Sequence, residues 1–197
     1  MTTRGCAARA LVGLALGCAS CAASPSTGSG AASTERTGGG SLPAGTRATD
    51  FTVRDTKGHT VRLSDYLGKK AVLLDFWATY CEPCLSEMPH LEKLYEDNKG
   101  AGFVIIALAM DGPDTVAEVP SFASRNGLTF PVVLDEDSHV ASIYNPKSSA
   151  PLSVLIDKRG NVVRVREGYN PGDEALVAAD VANAVQGKPL DAAPGGK

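Results

Sequence analysis

Long apolar runs are scarce in this sequence, aromatic residues make up only 6% of it, and the formal net charge is −3. Each shortage excludes something. The run Ala10-Leu11-Val12-Gly13-Leu14-Ala15-Leu16-Gly17 falls short of the ~20 apolar residues needed to span a bilayer, and the overall composition is not that of a multi-span membrane protein. A chain without an excess of positive charge gives no support for nucleic-acid binding. Three histidines without ligand spacing, and no second cysteine pair in the body of the chain, leave no tetrahedral zinc site, so no metal is expected. No Gly-rich phosphate loop is present, so neither a flavin nor a nicotinamide cofactor is expected. The 5 cysteines are an odd number: Cys6, Cys18 and Cys21 crowd the start, Cys81 and Cys84 sit together, and none follows. That is not a disulfide framework. What remains among 197 residues, 43% of them hydrophobic, is one domain large enough to bury a core without staples.

Residues 1–17 read as a secretion signal, with Arg4 and Arg9 before the short apolar run. Leu14-Ala15-Leu16-Gly17-Cys18 resembles a bacterial lipobox, which implies cleavage before Cys18 and a lipid on its sulfur. Leu16 departs from that pattern, Cys21 is a second candidate, and the plain alternative is cleavage near Ala22 or Ala23. The domain is expected to be exported and tethered to a bacterial membrane. Residues 18–45 are the anchor site and linker. Gly, Ser, Ala, Thr and Pro fill 21 of the 24 positions from Ala22 to Gly45, a composition that cannot fold and would span roughly 25–30 Å as a coil.

From Thr46 the pattern alternates strands and helices. Phe51–Val53 and Thr60–Leu63 read as a hairpin around Asp55-Thr56-Lys57-Gly58. Ala71–Trp77 and Phe103–Ala109 are apolar runs of the kind buried on both faces of a sheet. Between them, Leu85, Met88, Leu91, Leu94 and Tyr95 share one helical face, and Lys99-Gly100 is the expected stop. A helix over 114–125, a strand over 130–134, a helical turn or two over 138–144, a hairpin of 152–156 with 162–166, and a closing helix over 173–185 complete the order. This is an α/β domain over 46–187 with a mixed central sheet flanked by helices, followed by a frayed tail at 188–197.

The chemistry lies in Cys81-Glu82-Pro83-Cys84. A Cys-x-x-Cys pair binds metal, forms a structural bridge or runs redox exchange. At a strand-to-helix junction Cys81 would stand at a helix N-terminus, where free amides and the helix dipole stabilise a thiolate. Cys84, one turn on, would be less exposed. Cys81 is then the nucleophile that forms a mixed disulfide with a substrate, and Cys84 the thiol that resolves it. Pro83 costs little in a first helical turn. Pro89 would kink the helix by removing one internal bond.

Phe76-Trp77-Ala78-Thr79-Tyr80-Cys81-Glu82-Pro83-Cys84 with Glu87-Met88-Pro89, and the later Ala150-Pro151, resemble the TlpA/ResA branch of exported thioredoxin-like proteins. The resemblance covers roughly residues 46–187. It implies a thioredoxin-like fold with an N-terminal β-hairpin and a helix-strand insertion near 113–135, a Cys81–Cys84 disulfide, and a cis proline at Pro151 facing the sulfurs. It also implies a substrate groove built from Trp77, Tyr80, Glu82, Pro83, Ala150 and Pro151. Tyr80 and Leu152-Ser153-Val154 depart from the usual residues and bear on which substrate fits. Implied partners are disulfide-containing exported proteins, such as the haem-site cysteines of immature c-type cytochromes, and a transmembrane thiol donor. The domain is expected to act as a monomer.

Two acids are expected to assist. Asp75 lies where thioredoxin carries a buried acid. Inside a two-sided strand its pKa should rise, and it would take the proton from Cys84. The alternative is a hydrogen-bonded strand acid. Glu87 matches a glutamate of the ResA-like group; the alternative is a surface helix acid. With Glu82, these charges oppose a thiolate and favour a reducing role. Two other functions compete. A thiol peroxidase uses Pro-x-x-x-Thr-x-x-Cys, but Thr79 here is two residues before Cys81. A copper-delivery module would need the two cysteines and a distant His, for which only His139 offers itself.

Overall fold

The computed structural model describes residues 42–190. The expected signal, Cys6, Cys18, Cys21 and most of the linker lie outside the described residues, as does the tail from 191 on. The strands are β1 (Thr52–Arg54), β2 (Thr60–Arg62), β3 (Ala71–Trp77), β4 (Phe103–Ala109), β5 (Val132–Leu134), β6 (Leu152–Ile156) and β7 (Val162–Glu167). The helices are α1 (Glu82–Asn98), α2 (Val119–Arg125), α3 (His139–Tyr144) and α4 (Asp173–Gln186). β1 and β2 form an antiparallel hairpin, and the other five strands form one sheet in the order β5-β4-β3-β6-β7. β5, β4 and β3 run parallel; β6 is antiparallel to both β3 and β7. This is the thioredoxin-like arrangement.

Both long apolar runs become central strands with every residue buried. Their alternation splits the core in two. Leu73 and Trp77 of β3 face Met88 and Leu91 of α1 and Val177 and Val181 of α4. Val72, Leu74 and Phe76 face Phe51 and Val61 of the hairpin region and Tyr144 of α3. The parallel register pairs Ala71 with Phe103 and Trp77 with Ala109, so β3 and β4 end level. The sheet therefore has two poles. Cys81 stands just beyond the ends of β3 and β4. The opposite pole holds the starts of β3, β4 and β7 and the β6–β7 turn.

Several boundaries differ from expectation, and proline explains two. The helix expected from Asp114 is a separate turn at Val116–Glu118 followed by α2, because Pro120 has no N–H to continue a helix from the preceding turn and so opens a new one. β5 starts at Val132, since Pro131 cannot donate to the ladder; its carbonyl accepts from the Ala107 N–H at 2.9 Å. Pro89 sits inside α1, which is assigned continuously from Glu82 to Asn98, and the Leu85 carbonyl loses its helical donor there. α1 ends at the expected stop, with Lys99 as its C-cap. The chain then makes a further tight turn over Lys99–Ala101 and reverses at Gly102, where φ is +92°. A Cβ at Gly102 would lie 3.2 Å from the Lys69 carbonyl oxygen and 3.1 Å from Lys158 Nζ.

The domain is also tied down further at both ends than expected. The Gly45 N–H donates to the Val162 carbonyl at 2.7 Å, and Leu42 packs against the hairpin-side core. At the other end the Lys188 N–H caps α4 through the Asn183 carbonyl, and Leu190 packs against the opposite core.

Gly102→Ala should destabilise the domain by about 2 kcal/mol, because it combines a left-handed backbone with crowding by fixed backbone. Urea unfolding of the two proteins, compared at equal slope, measures it.

Candidate active site

Cys81 is the N-cap of α1, in an extended conformation with φ −90° and ψ 97°. Its Sγ accepts from the Cys84 N–H at 3.3 Å, and its carbonyl accepts the Leu85 N–H. The sulfur thus lies where the helix presents free amides, the setting that favours a thiolate. Pro83 occupies the first turn without losing a bond the helix needs. Cys81 is half-buried, whereas Cys84 is 1% exposed among Trp77, Met88 and Leu91. The two are joined as a disulfide with Cα atoms 5.3 Å apart.

The loop that delivers Cys81 is held by a residue that sequence reasoning missed. Asp111, 3% exposed just past β4, accepts from the backbone N–H of Thr79 at 3.1 Å and from its hydroxyl. Met110, its neighbour, donates its N–H to the Trp77 carbonyl. The level ends of β3 and β4 make both contacts possible. A lone Asp after a strand carries no motif, so only the fold reveals it.

At the same end of the sheet, where Leu152 pairs with Phe76, the Ala150–Pro151 peptide bond is cis. A second unforeseen residue shapes that turn. Asn145, 1% exposed, donates from its side-chain amide to the Ser149 carbonyl at 2.7 Å and accepts from the Ser149 N–H at 2.9 Å. The Pro151 carbonyl accepts the Gly168 N–H at 2.8 Å. From Ser149 to Pro151, only exposed Ala150 keeps a backbone N–H and C=O with no partner among the described residues.

The remaining expected site residues divide. Tyr80 is 69% exposed beside Cys81, and Glu82 and Pro83 are exposed on the first turn of α1. Trp77, expected as both core and groove wall, is core: it is 0% exposed and lies under the disulfide with its ring 5.1 Å from that of Phe122. Leu152-Ser153-Val154, also expected to line the groove, is buried within β6. Both belong to central strands, whose two faces are covered.

Asp75 and Glu87 are buried, at 1% and 6% exposure. Asp75 lies between Ala107 of β4 and Ser153 of β6 in the sheet, on the face of β3 that meets α1 and α4. Its Oδ1 has no hydrogen-bond partner among the described residues, and neither has Trp77 Nε1. Burial drives the Asp75 pKa well above the usual carboxylate range, with repulsion from Glu87 adding to it. Glu87 is not a surface acid. It lies in a cleft of about 290 Å³ between α1 and α4, which His90, Leu91, Tyr169 and Val177 also line. Desolvation, then the charge of Asp173, raises its pKa from 4.5 to about 7. A dithiol at a helix N-terminus above two acids that hold protons near neutral pH is equipped for thiol–disulfide exchange. Among the described residues no group of three or more His, Cys, Asp or Glu is placed to hold a metal ion.

Fold and site together define a thioredoxin-like thiol–disulfide oxidoreductase. Residues 44–165 match the AhpC/TSA family, and the chain belongs to it. It is 43% identical over 135 residues to the thiol-disulfide oxidoreductase ResA of Geobacillus kaustophilus, covering 68% of this chain and 74% of that one. It is 40% identical over 128 residues to ResA of Bacillus subtilis, covering 65% and 69%. Among solved structures, it is similar to a protein of Chlorobium tepidum provisionally described as the thiol:disulfide interchange protein DsbE. There the TM-score is 0.67 at 30% identity, over 74% of this chain and 99% of that one. The thioredoxin domain of a thiol-disulfide oxidoreductase from Bacteroides vulgatus aligns at a TM-score of 0.58 and 28% identity, over 72% and 99%.

The Glu87 carboxyl gives the oxidised protein a pH-dependent stability. Its folded pKa, about 7, lies above its unfolded value near 4.5. The fold therefore favours the protonated form, and the stabilisation is complete below about pH 4.5 and lost as pH rises through 7. The loss from this group should be roughly 3 kcal/mol. Asp75 acts in the same direction. Denaturant unfolding of oxidised wild type and Glu87→Gln at pH 5 and pH 8 should show the variant losing less stability between them.

Proposed function

We propose that this oxidoreductase works outside the cytoplasm, tethered to a membrane through Cys18, and reduces disulfides of exported proteins. The observation that carries the reductive direction is the pair of buried acids, Asp75 and Glu87, below the dithiol. Burial keeps Asp75 protonated near neutral pH, so the negative charge that opposes a thiolate is that of Glu87, whose pKa is about 7. A less stabilised thiolate makes the disulfide form relatively more favoured, so the dithiol gives electrons away. Glu82, on the first turn of α1, acts in the same sense.

In the reduced enzyme, the Cys81 thiolate attacks a substrate disulfide. One S–S bond breaks, a mixed disulfide forms, and one substrate sulfur leaves as thiolate and takes up a proton. Cys84 then gives its proton to Asp75 or Glu87 in its ionised form and attacks Cys81. The second substrate sulfur leaves, and two electrons have passed to the substrate. The enzyme is left as the Cys81–Cys84 disulfide and needs a thiol donor to return. Glu87, with a pKa of about 7, is substantially ionised at neutral pH and available as that acceptor. Tyr80, Glu82, Pro83, Ala150 and Pro151 border the space a substrate segment would occupy. Haem-site cysteines of an immature c-type cytochrome fit such a substrate class, and a membrane thiol carrier fits the donor. Relatives named as thiol-disulfide oxidoreductases support exchange over peroxide reduction. His139 heads α3 beside Val53 and Arg54 of the hairpin, which gives a copper-delivery module no support.

Cys84→Ala, with Cys81 intact, should accumulate exported proteins as mixed disulfides, and changing Cys81 as well should abolish capture. Equal capture by both variants would sink the assignment of the nucleophile. The wild-type dithiol should also equilibrate with glutathione as a reductant; a potential close to about −120 mV, that of a strong oxidant, would reverse the direction proposed.

A further inference from the structure

The charges of the domain are sorted between its two poles. At the pole away from the disulfide, Arg47, Lys69, Lys70, Lys158, Arg159 and Lys188 gather around the starts of β3 and β7, the β6–β7 turn and the end of α4. Backbone contacts hold them together. Arg47 Nη1 donates to the Arg159 carbonyl, the Gly68 N–H donates to the Lys158 carbonyl, and Lys188 lines one cleft with Lys158 and Arg159. None of the six is paired with a carboxylate among the described residues. Of the acids at this pole, Glu96 and Asp97 are taken by Lys99 and Lys93, and Asp157 holds the Asn161 N–H. Asp50, which holds the Ser64 N–H, and Asp65 stand as the counter-charges among the described residues, outnumbered. Around the disulfide pole the excess is acidic: Glu82 opens α1, Glu167 ends β7, Glu136 and Asp137 follow β5, and Glu174 lies in the first turn of α4.

We infer that the basic pole is a docking surface for a membrane rich in anionic lipid headgroups. Two observations select lipid over another polyanion. The first is where the upstream chain joins the domain. Gly45 is hydrogen-bonded to Val162 at this same pole, and Ala44 and Gly45 line the cleft that carries Lys158, Arg159 and Lys188. A segment whose sequence resembles a lipoprotein leader is therefore rooted among these cations. The second is complementarity: cations spread over several elements, with Arg47, Lys69, Arg159 and Lys188 exposed and Lys70 and Lys158 half-buried beside them, suit a diffuse anionic plane. Such cations act within a Debye length, about 8 Å in physiological salt, and strengthen adsorption by about fivefold each.

Docking in this way fixes an orientation. β3 runs from Ala71, next to Lys70 at the basic pole, to Trp77 below Cys81, and its rise lifts the disulfide roughly 20 Å above the lipid. The acidic pole then faces the compartment, away from the like-charged membrane. A tether alone would let the domain tumble; the basic pole makes it stand. This inference goes beyond the proposed reaction and holds for either direction of electron flow.

The test uses the full chain carrying Cys6→Ser, Cys18→Ser and Cys21→Ser, so that no lipid is attached, sedimented with vesicles at low and raised salt. Vesicles of phosphatidylcholine with phosphatidylglycerol should retain it at least tenfold better than phosphatidylcholine alone, and raised salt should erase the difference. Adding Lys69→Gln, Arg159→Gln and Lys188→Gln should weaken retention by roughly a hundredfold, while exchange with a soluble peptide disulfide stays unchanged and reports an intact fold. Glu136→Gln with Asp137→Asn should not weaken it. Equal retention by both kinds of vesicle, retention that salt leaves untouched, or no loss on removing the three cations would each overturn the inference.

Discussion

Burial of β3 on both faces is the constraint from which the site follows. A strand covered by α1 and α4 on one side and by the hairpin and α3 on the other cannot slip or tilt without exposing core. Its end is therefore a fixed point. The parallel pairing with β4 sets a second fixed point beside it, and Asp111 closes the gap by gripping Thr79. Cys81 hangs from this frame at the mouth of α1, so the reactive sulfur is located by the most deeply buried part of the molecule.

The same burial explains the electrostatics. Asp75 is on β3 because the strand runs there, and the environment that stabilises the strand is hostile to a charge. Glu87 is brought against the same face by helical spacing, three residues after Cys84. Two acids that would be unremarked in water become proton holders when placed under a dithiol. Proton affinity here is a product of packing, and the same packing costs stability once the protons leave.

The apolar runs, the helical spacing after Cys84 and the strand-to-helix position of the cysteines were legible in the sequence, because periodicity reports burial directly. The burial of Asp75 followed from its apolar neighbours. Glu87 was ambiguous, since helical spacing alone does not reveal that α4 would cover it. Asp111 and Asn145 were invisible: each acts across a chain distance on its own, with no pattern to mark it. Trp77 was legible as a core residue from the apolar run it ends; a share in the groove wall rested on the motif alone, and alternation along β3 turns the ring into the core instead. Boundaries moved where a proline overrode the apolar pattern, as at Pro120 and Pro131.

The clamp of Asn145 on Ser149 bears on how choosy this enzyme can be. With both main-chain groups of Ser149 occupied, and the Pro151 carbonyl given to Gly168, a visiting strand finds a single rung at Ala150. A ladder of one rung cannot spell a sequence. What it can do is hold a sulfur-bearing residue at the right height for one exchange and release it once the bond is broken. With so short a handrail, any finer grip on a substrate falls to side chains around the disulfide, such as exposed Tyr80, and not to the backbone of this turn.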